Sequence, residues 1–500
     1  MKPTKPMPAL IETVCNTIRQ SMERFASSES LRNCEQLTSE LVTGVSEALQ
    51  QSIFLGARAG LTQFIEAYEM QEETLERHGL SYRFKGIDTK RFLTIFGEIA
   101  VNRRRFSHWQ GGASIVPLDE AWGMQGRYAT AEVTEHVLLA TSMLTPSEVS
   151  ELFGRMCPYG PSPSLIQDLV NEDGAVINKL LSLPDHAARM RPSAEVDQQP
   201  SAVAVSMDGA NVLVREPGKK RGRPAERPGK EDDQPKSSSY KNAMVGSISR
   251  YRQVEKVIDI EIGTEATVPE RILSTYHARM PEQGAEAFKI EFERQVAQEI
   301  EHLPEEITKV LLMDGARGLW TYAENTPLFT DFKMLVDFYH ASEHLSALAE
   351  ALFGKSSQEA TDWYEKWRHK LKYEKAAIEG MLRSSARYCK SANLSKARQE
   401  EVEKEETYFR RNRAKMNYNE FVAEGLPIGS GPVEAACKMI VKARMCQSGM
   451  RWSINGGQNV LNLRVLHKSG QWDAAWKHYR EVGGYQFDQG LAIAQEQLAA

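Results

Sequence analysis

Two apolar runs in this chain break at the same tripeptide. SAVAVSMDGANVLV (201–214) and KVLLMDGARGLW (309–320) read as strands of Val, Leu and Ala interrupted by Met-Asp-Gly. A charge within a core strand is costly unless it is paired or binds a metal. An Asp-Gly step after a strand is also an ordinary turn, so Asp208 and Asp314 taken singly stay open to both readings. Taken together, they place a sheet in the second part of the chain, with acidic side chains at or near its strand ends.

The surrounding pattern supports this. Residues 183–200 (LPDHAARMRPSAEVDQQP) are polar and contain proline, which marks a boundary. Beyond it, 201–214, KNAMVGSISRYR and EKVIDIEIGTEATV read as three consecutive antiparallel strands. A helix at about 284–302 follows, then strands at 309–320 and 332–340 (FKMLVDFYH). A charged, helical stretch (341–420) precedes a last element beginning at GLPIGSGPVEAACKMIVKARM. This is the succession expected of an RNase H-like domain, with the helical stretch inserted before the final helix. The expected fold class is therefore α+β, or mixed: an RNase H-like mixed sheet with a helical insertion, preceded by a mainly helical region.

Before the boundary, apolar residues recur at helical steps over 8–25 and 54–75, segments suited to packing on each other or on a second subunit. RFLTIFGEIAVNRRRF predicts a small hairpin within 82–106, closed by Arg103, Arg104 and Arg105. Helices are expected at about 130–143, from the Thr145-Pro146-Ser147-Glu148 cap to Met156, and from Ser162 to about 181. Three short helices with a tight second turn fit a helix-turn-helix, and equally a plain helical linker domain. The expected divisions are 1–80, 81–127, 128–182, the linker 183–200, 201–340 with a basic loop at 215–239, 341–425, 426–470 and a helical tail at 471–500.

A third carboxylate completes a chemical pattern. Glu434 follows the Gly/Pro-rich turn IGSGP and falls in the first turn of an apolar helix, a place the helix dipole also favours on its own. Asp208, Asp314 and Glu434, on two strands and one helix, would converge on a pair of divalent cations. Hard Mg2+ takes oxygen ligands and keeps waters, so a few carboxylates and a substrate phosphate suffice. Two ions about 3.5–4 Å apart serve an in-line phosphoryl displacement.

The segments MDGANV, LLMDGARGLW, VDFYHASEHL and GSGPVEAACKMIVKARM…SGMRWS resemble bacterial insertion-sequence transposases of the DDE class. The likeness is greatest to the Kra-type group related to Mutator-like elements, and it covers most of the chain. It implies a DNA transposase that binds element ends and performs metal-dependent cleavage and strand transfer. Asp208, Asp314 and Glu434 would be its catalytic triad, with Mg2+ as cofactor and Mn2+ as a substitute. Related transposases carry a C/D-x-x-H motif after the second aspartate, and Asp337-Phe338-Tyr339-His340 matches it. Asp337 and His340 therefore receive a supporting role, with Asp337 as the rival second ligand; His344, one turn later, is ambiguous. Some relatives also have a Cys-x-x-Cys pair after the N-terminal hairpin, which this chain lacks. The alternatives are an RNase H-like nuclease without strand transfer and a non-catalytic DNA-binding protein derived from a transposase.

The net charge of −5 gives no global reason to expect a nucleic-acid partner, so the case rests on where charges sit. Residues 215–230 hold seven basic and two acidic residues. Within them Lys219, Lys220, Arg221, Gly222 and Arg223 resemble an AT-hook, whose arginines seek a narrow minor groove. From 435 to 472 no Asp or Glu occurs, while Lys438, Lys442, Arg444, Arg451, Arg464 and Lys468 do. Cations beside Glu434 would meet phosphates, supplying affinity without sequence choice. Trp452 and Trp320 read as core residues sooner than as stacking platforms. Expected partners are double-stranded DNA, both terminal repeats and target, and further copies of the chain in a homodimer or larger assembly. At 41% apolar and 26% charged residues the chain is not a largely disordered one. No apolar run reaches the roughly 20 residues of a membrane span, and MKPTKPMPALIETVC lacks an apolar signal segment. Six scattered cysteines suit a reducing cytoplasm, and the resemblance to bacterial insertion-sequence transposases implies a bacterial, nucleoid-associated protein.

Overall fold

A computed structural model of the chain describes residues 7–27, 36–77, 79–112, 114–183, 199–215, 240–259, 264–392 and 394–481. The chain divides into two compact units, Met1–Ile177 with Trp476–Ala500, and Asn178–Ala475. The first opens with α1 (Met7–Ala26) and α2 (Ser39–Glu66), which pack where α2 carries Gly56 and Gly60. A Cβ at Gly60 would lie 2.4 Å from Val14 and one at Gly56 2.6 Å from Ile18, so only glycine permits the approach. α2 is capped by Thr38 and ends at Glu66, earlier at both ends than the sequence pattern predicts. The residues after it turn into β1 (Thr74–Arg77), so the expected hairpin gains a third strand beside β2 (Leu80–Thr94) and β3 (Gly97–His108).

The three arginines of that hairpin are used differently. Arg103 is 5% exposed and paired with Asp119 at 2.5 Å, and Arg104 lies 3.9 Å over the Phe84 ring. Arg105 alone of the three is exposed. Beyond the short α3 (Pro117–Trp122) come α4 (Ala131–Met143), α5 (Pro146–Met156) and α6 (Pro163–Ser182), close to the expected limits. Thr145 and Glu148 form a reciprocal capping box, with Glu148 N donating to Thr145 Oγ1 at 3.3 Å and Thr145 N to Glu148 Oε2 at 2.7 Å. Val133, Val137, Val149, Phe153 and Ile166 make the core beneath them.

The second unit is built on β4 (Ala202–Leu213), β5 (Tyr240–Asp259), β6 (Thr264–Arg279), β7 (Thr308–Met313) and β8 (Lys333–Val336), in the spatial order β6-β5-β4-β7-β8. β4, β5 and β6 are antiparallel neighbours, while β7 runs parallel to β4 and β8 parallel to β7. Each parallel step needs a crossover, and α7 (Glu286–Ile300) and α8 (Arg317–Glu324) supply helices for them. Val203, Val205, Val310, Leu311 and Leu312 are fully buried at the centre.

Three strand limits differ from expectation. The expected strands KNAMVGSISRYR and EKVIDIEIGTEATV do not divide at Gln253-Val254: β5 runs on to Asp259, and β6, which begins at Thr264, takes the rest of the second segment and continues to Arg279. Beside that point Arg252 pairs with Glu270 on β6, and a cross-strand ion pair lets charged residues stay in register. β7 stops at Met313 and β8 at Val336, so Trp320 and Phe338 belong to the helices that follow. The stretch 341–420 is helical as expected, as α9 (Phe338–Phe353), α10 (Gln358–Tyr373), α11 (Ala377–Ser391), α12 (Lys396–Asn412) and α13 (Tyr418–Ala423). The chain then enters α14 (Gly431–Ala436), which continues through a π-helical turn (Cys437–Lys442) to a last turn (Ala443–Met445). α15 (Ile454–Lys468) and α16 (Trp472–Glu481) close the described chain. Among the described residues no helix is long and apolar enough to cross a membrane.

Candidate functional site

The register of the parallel strands sets the site. Val205 on β4 lies opposite Leu311 on β7, and Met313 opposite Val336 on β8. One residue on from the second pair puts Asp314 beside Asp337, whose N donates to Met313 O at 2.7 Å, while Asp208 lies on β4 three residues beyond its last pair with β7. Apolar packing of β7 and β8 thus brings Asp314 and Asp337 together at the ends of adjacent strands, with Asp208 on the neighbouring strand β4.

Their surroundings differ. Asp208 is half-buried within β4, and its Oδ1 accepts from the Gly209 amide at 2.6 Å. A Cβ at Gly209 would lie 2.1 Å from Asn242 Nδ2, so a side chain there would displace the exposed Asn242 amide. Asp314 is half-buried at the end of β7, and its Oδ1 accepts from Ala316 N at 2.9 Å. Its carbonyl accepts from Trp320 Nε1 at 2.7 Å, and Trp320 is 4% exposed, so this tryptophan is core and braces the aspartate's backbone.

Asp337 is fully buried and caps α9. Its Oδ1 accepts from His340 N at 2.6 Å and its Oδ2 from Ser430 N, while Phe338 N donates to Ile428 O at 2.9 Å. Both oxygens are therefore engaged with backbone, tying the end of β8 to the loop that launches α14. His340 faces Glu343 at 3.5 Å, and His344 donates to Glu405 at 2.5 Å and stacks on Tyr408 with centroids 3.6 Å apart.

Glu434 lies exposed on the first helical turns of α14. One helical turn on, the buried Cys437 packs in one apolar cluster with Ala210 and Val212 of β4, the strand that carries Asp208. Burial pushes the Cys437 thiol up, and Asp208 and Glu434 push it further, with Lys442 opposing them. In the same way burial raises the Tyr408 phenol, followed by Asp314 and Asp337. Of these carboxylates, Asp314 and Asp337 are the two that strand register makes neighbours. Among the described residues no group of three or more His, Cys, Asp or Glu side chains is close enough to hold a metal ion. The oxygen-only donor set suits a hard divalent cation, but these side chains do not enclose one.

The basic residues after Glu434 separate into two kinds. Lys438, Lys442, Arg451 and Lys468 are exposed. Arg444 is 2% exposed and lies 5.2 Å over the Trp452 ring, and Arg464 is 4% exposed and donates to Ile440 O at 2.7 Å. A buried guanidinium does not reach a phosphate, so the expectation of a DNA contact at Arg444 is corrected to a packing role, as is that of Arg464. The gap in acidic residues signalled helix-holding cations as well as surface ones. Lys219, Lys220, Arg221 and Arg223 lie outside the described residues.

No family model and no curated protein matches the chain. A solved structure, the Drosophila P element transposase strand transfer complex, aligns over 70% of this chain and 80% of that one. The identity is 10% and the TM-score 0.23, a likeness that carries no weight on its own.

Proposed function

We propose that the chain is a DNA transposase of the DDE class, from a bacterial insertion sequence of the Kra-type group, with an RNase H-like catalytic domain. The supporting observation is that Asp208 lies on the central strand β4, Asp314 ends its parallel neighbour β7, and Glu434 lies on the later helix whose Cys437 packs with Ala210 and Val212 of β4. Three antiparallel strands followed by two parallel ones, in the order β6-β5-β4-β7-β8, are the arrangement the RNase H-like reading calls for.

In this reading Asp208, Asp314 and Glu434 are the residues that would hold Mg2+ or Mn2+ once drawn together on DNA, and the ions would supply activation of the attacking oxygen and charge neutralisation at the leaving one. The chain's own residues bind and align the duplex: exposed Lys438, Lys442 and Arg451 flank Glu434 and meet phosphates on either side of the scissile bond. Asp337 keeps the loop before α14 in place. Water attacks first to free a 3′-OH, and that hydroxyl then attacks target DNA. Only the nucleophile changes, so one set of residues serves both steps. Two ends must meet, so the working form is a dimer or larger.

The test uses full-length protein with labelled duplexes carrying the DNA that borders its reading frame, in Mg2+ or Mn2+. Nicked ends and joined products are expected, both lost in Asp208→Ala, Asp314→Ala and Glu434→Ala proteins that still bind the ends. Nicks without joined products would instead identify a nuclease. Activity surviving all three substitutions would end the enzyme reading.

A further inference from the structure

The last helix of the candidate site is not regular. After Ala436 it widens into the π turn Cys437–Lys442 before returning to α-helix at Ala443. Such a turn takes up one residue more than a regular helix, has few intrinsic reasons to persist, and recurs at functional sites.

Arg464 on α15 sits against it. Its Nε donates to Ile440 O at 2.7 Å and its Nη2 donates to Met439 O, both carbonyls lying in the middle of the widened turn. The side chain is 4% exposed, so these contacts form inside the unit, where a charged donor's hydrogen bonds are strong. The segment is also fixed at both ends. Ser430 N donates to Asp337 at one end. At the other, Trp452 Nε1 donates to Met445 O at 3.0 Å, and Trp452 N donates to Leu213 O, also at 3.0 Å, at the end of β4.

Between two fixed ends, the extra residue decides which side chains face the sheet. If the π turn closed to an α-helix, residues on one side of it would rotate by about 100° relative to the other. Cys437, which packs with Ala210 and Val212 on the strand that carries Asp208, begins the turn, and Glu434 lies just before it.

We propose that Arg464 is a positioning residue: it holds the π turn open and so keeps Cys437 packed against the strand that carries Asp208, with Glu434 one turn before it. For the metal chemistry of Glu434 the inference rests on the function proposed above. Its test separates the two.

Full-length Arg464→Met, similar in length and uncharged, and Arg464→Lys, which keeps the charge but not the fork, are compared with the parent. The first readout is the rate at which Cys437 reacts with a water-soluble maleimide in metal-free protein, located by peptide mass spectrometry. Cys437 is 3% exposed, so parental labelling is slow. It is expected to quicken at least tenfold in Arg464→Met and by less in Arg464→Lys. The second readout is the Mn2+ concentration giving half-maximal cleavage, expected to rise at least tenfold in Arg464→Met with duplex binding unchanged. A cooperatively melting Arg464→Met protein with the parental labelling rate overturns the proposal. If that variant does not melt cooperatively, the labelling of Arg464→Lys decides it in the same way. Faster labelling in proteins that, parent included, never cleave DNA would uphold the role of Arg464 in the helix and remove the proposed function.

Discussion

Asp337 and Asp314 share a row of the sheet but do different work. The Asp337 carboxylate is buried and accepts from His340 N and Ser430 N, whereas Asp314 accepts from one amide at the edge of the sheet. Removing a charged acceptor from two buried amides costs about 2–4 kcal/mol, while losing one half-exposed turn contact costs about 1 kcal/mol or less. Asp337→Ala is therefore expected to lower the urea midpoint clearly, with Asp314→Ala remaining near the parent. Equal midpoints would show that Asp337 does not tie β8 to α14. The sequence made the neighbourhood of Asp337 and His340 legible because Asp-x-x-His is a recognisable spacing. It did not show the division of labour, because that depends on Ser430, 93 residues away.

Among elements, those with local chemical signatures were read best. Thr145-Pro146-Ser147-Glu148 starts α5 where expected because capping box and N-terminal proline act within four residues. Thr145→Ala removes the acceptor for Glu148 N and is expected to cost about 1 kcal/mol, seen as a lowered melting temperature. An unchanged melting temperature would mean that tertiary packing alone sets that end of the helix. Elements governed by distant partners were read less well. The expected break after Arg252 is absent because Arg252 finds Glu270 only once β6 is alongside, which keeps β5 continuous. The π turn left no sequence trace at all, since Arg464, which grips it, is 24 residues beyond Ile440 and its neighbours are apolar. Likewise Lys438 and Arg444 look equivalent in sequence, yet one is exposed and the other buried.

At the scale of the whole molecule the question is how a chain of net charge −5 would hold a polyanion. Part of the answer is segregation. Acidic side chains are dense on α12, where Glu401 pairs with Lys404 and Glu406 with Arg410 within the helix, whereas no acid follows Glu434 until Asp473. With Arg444 and Arg464 buried, the exposed cations left in that interval include Lys438, Lys442 and Arg451. Each phosphate contact contributes about 0.9 to the slope of log affinity against log salt. Replacing all three by alanine is therefore expected to flatten that slope by about 2–3 for an end-containing duplex. Affinity should fall similarly for unrelated sequences, since phosphate contacts carry no sequence information. Fluorescence anisotropy across a salt series, with circular dichroism to verify folding, measures both quantities. A folded triple variant with an unaltered slope would place the DNA path away from α14. Loss confined to the element's own ends would make these residues sequence readers instead. Arg444→Ala should behave in the opposite manner, lowering stability through the lost contact with Trp452 and leaving the salt slope where it was.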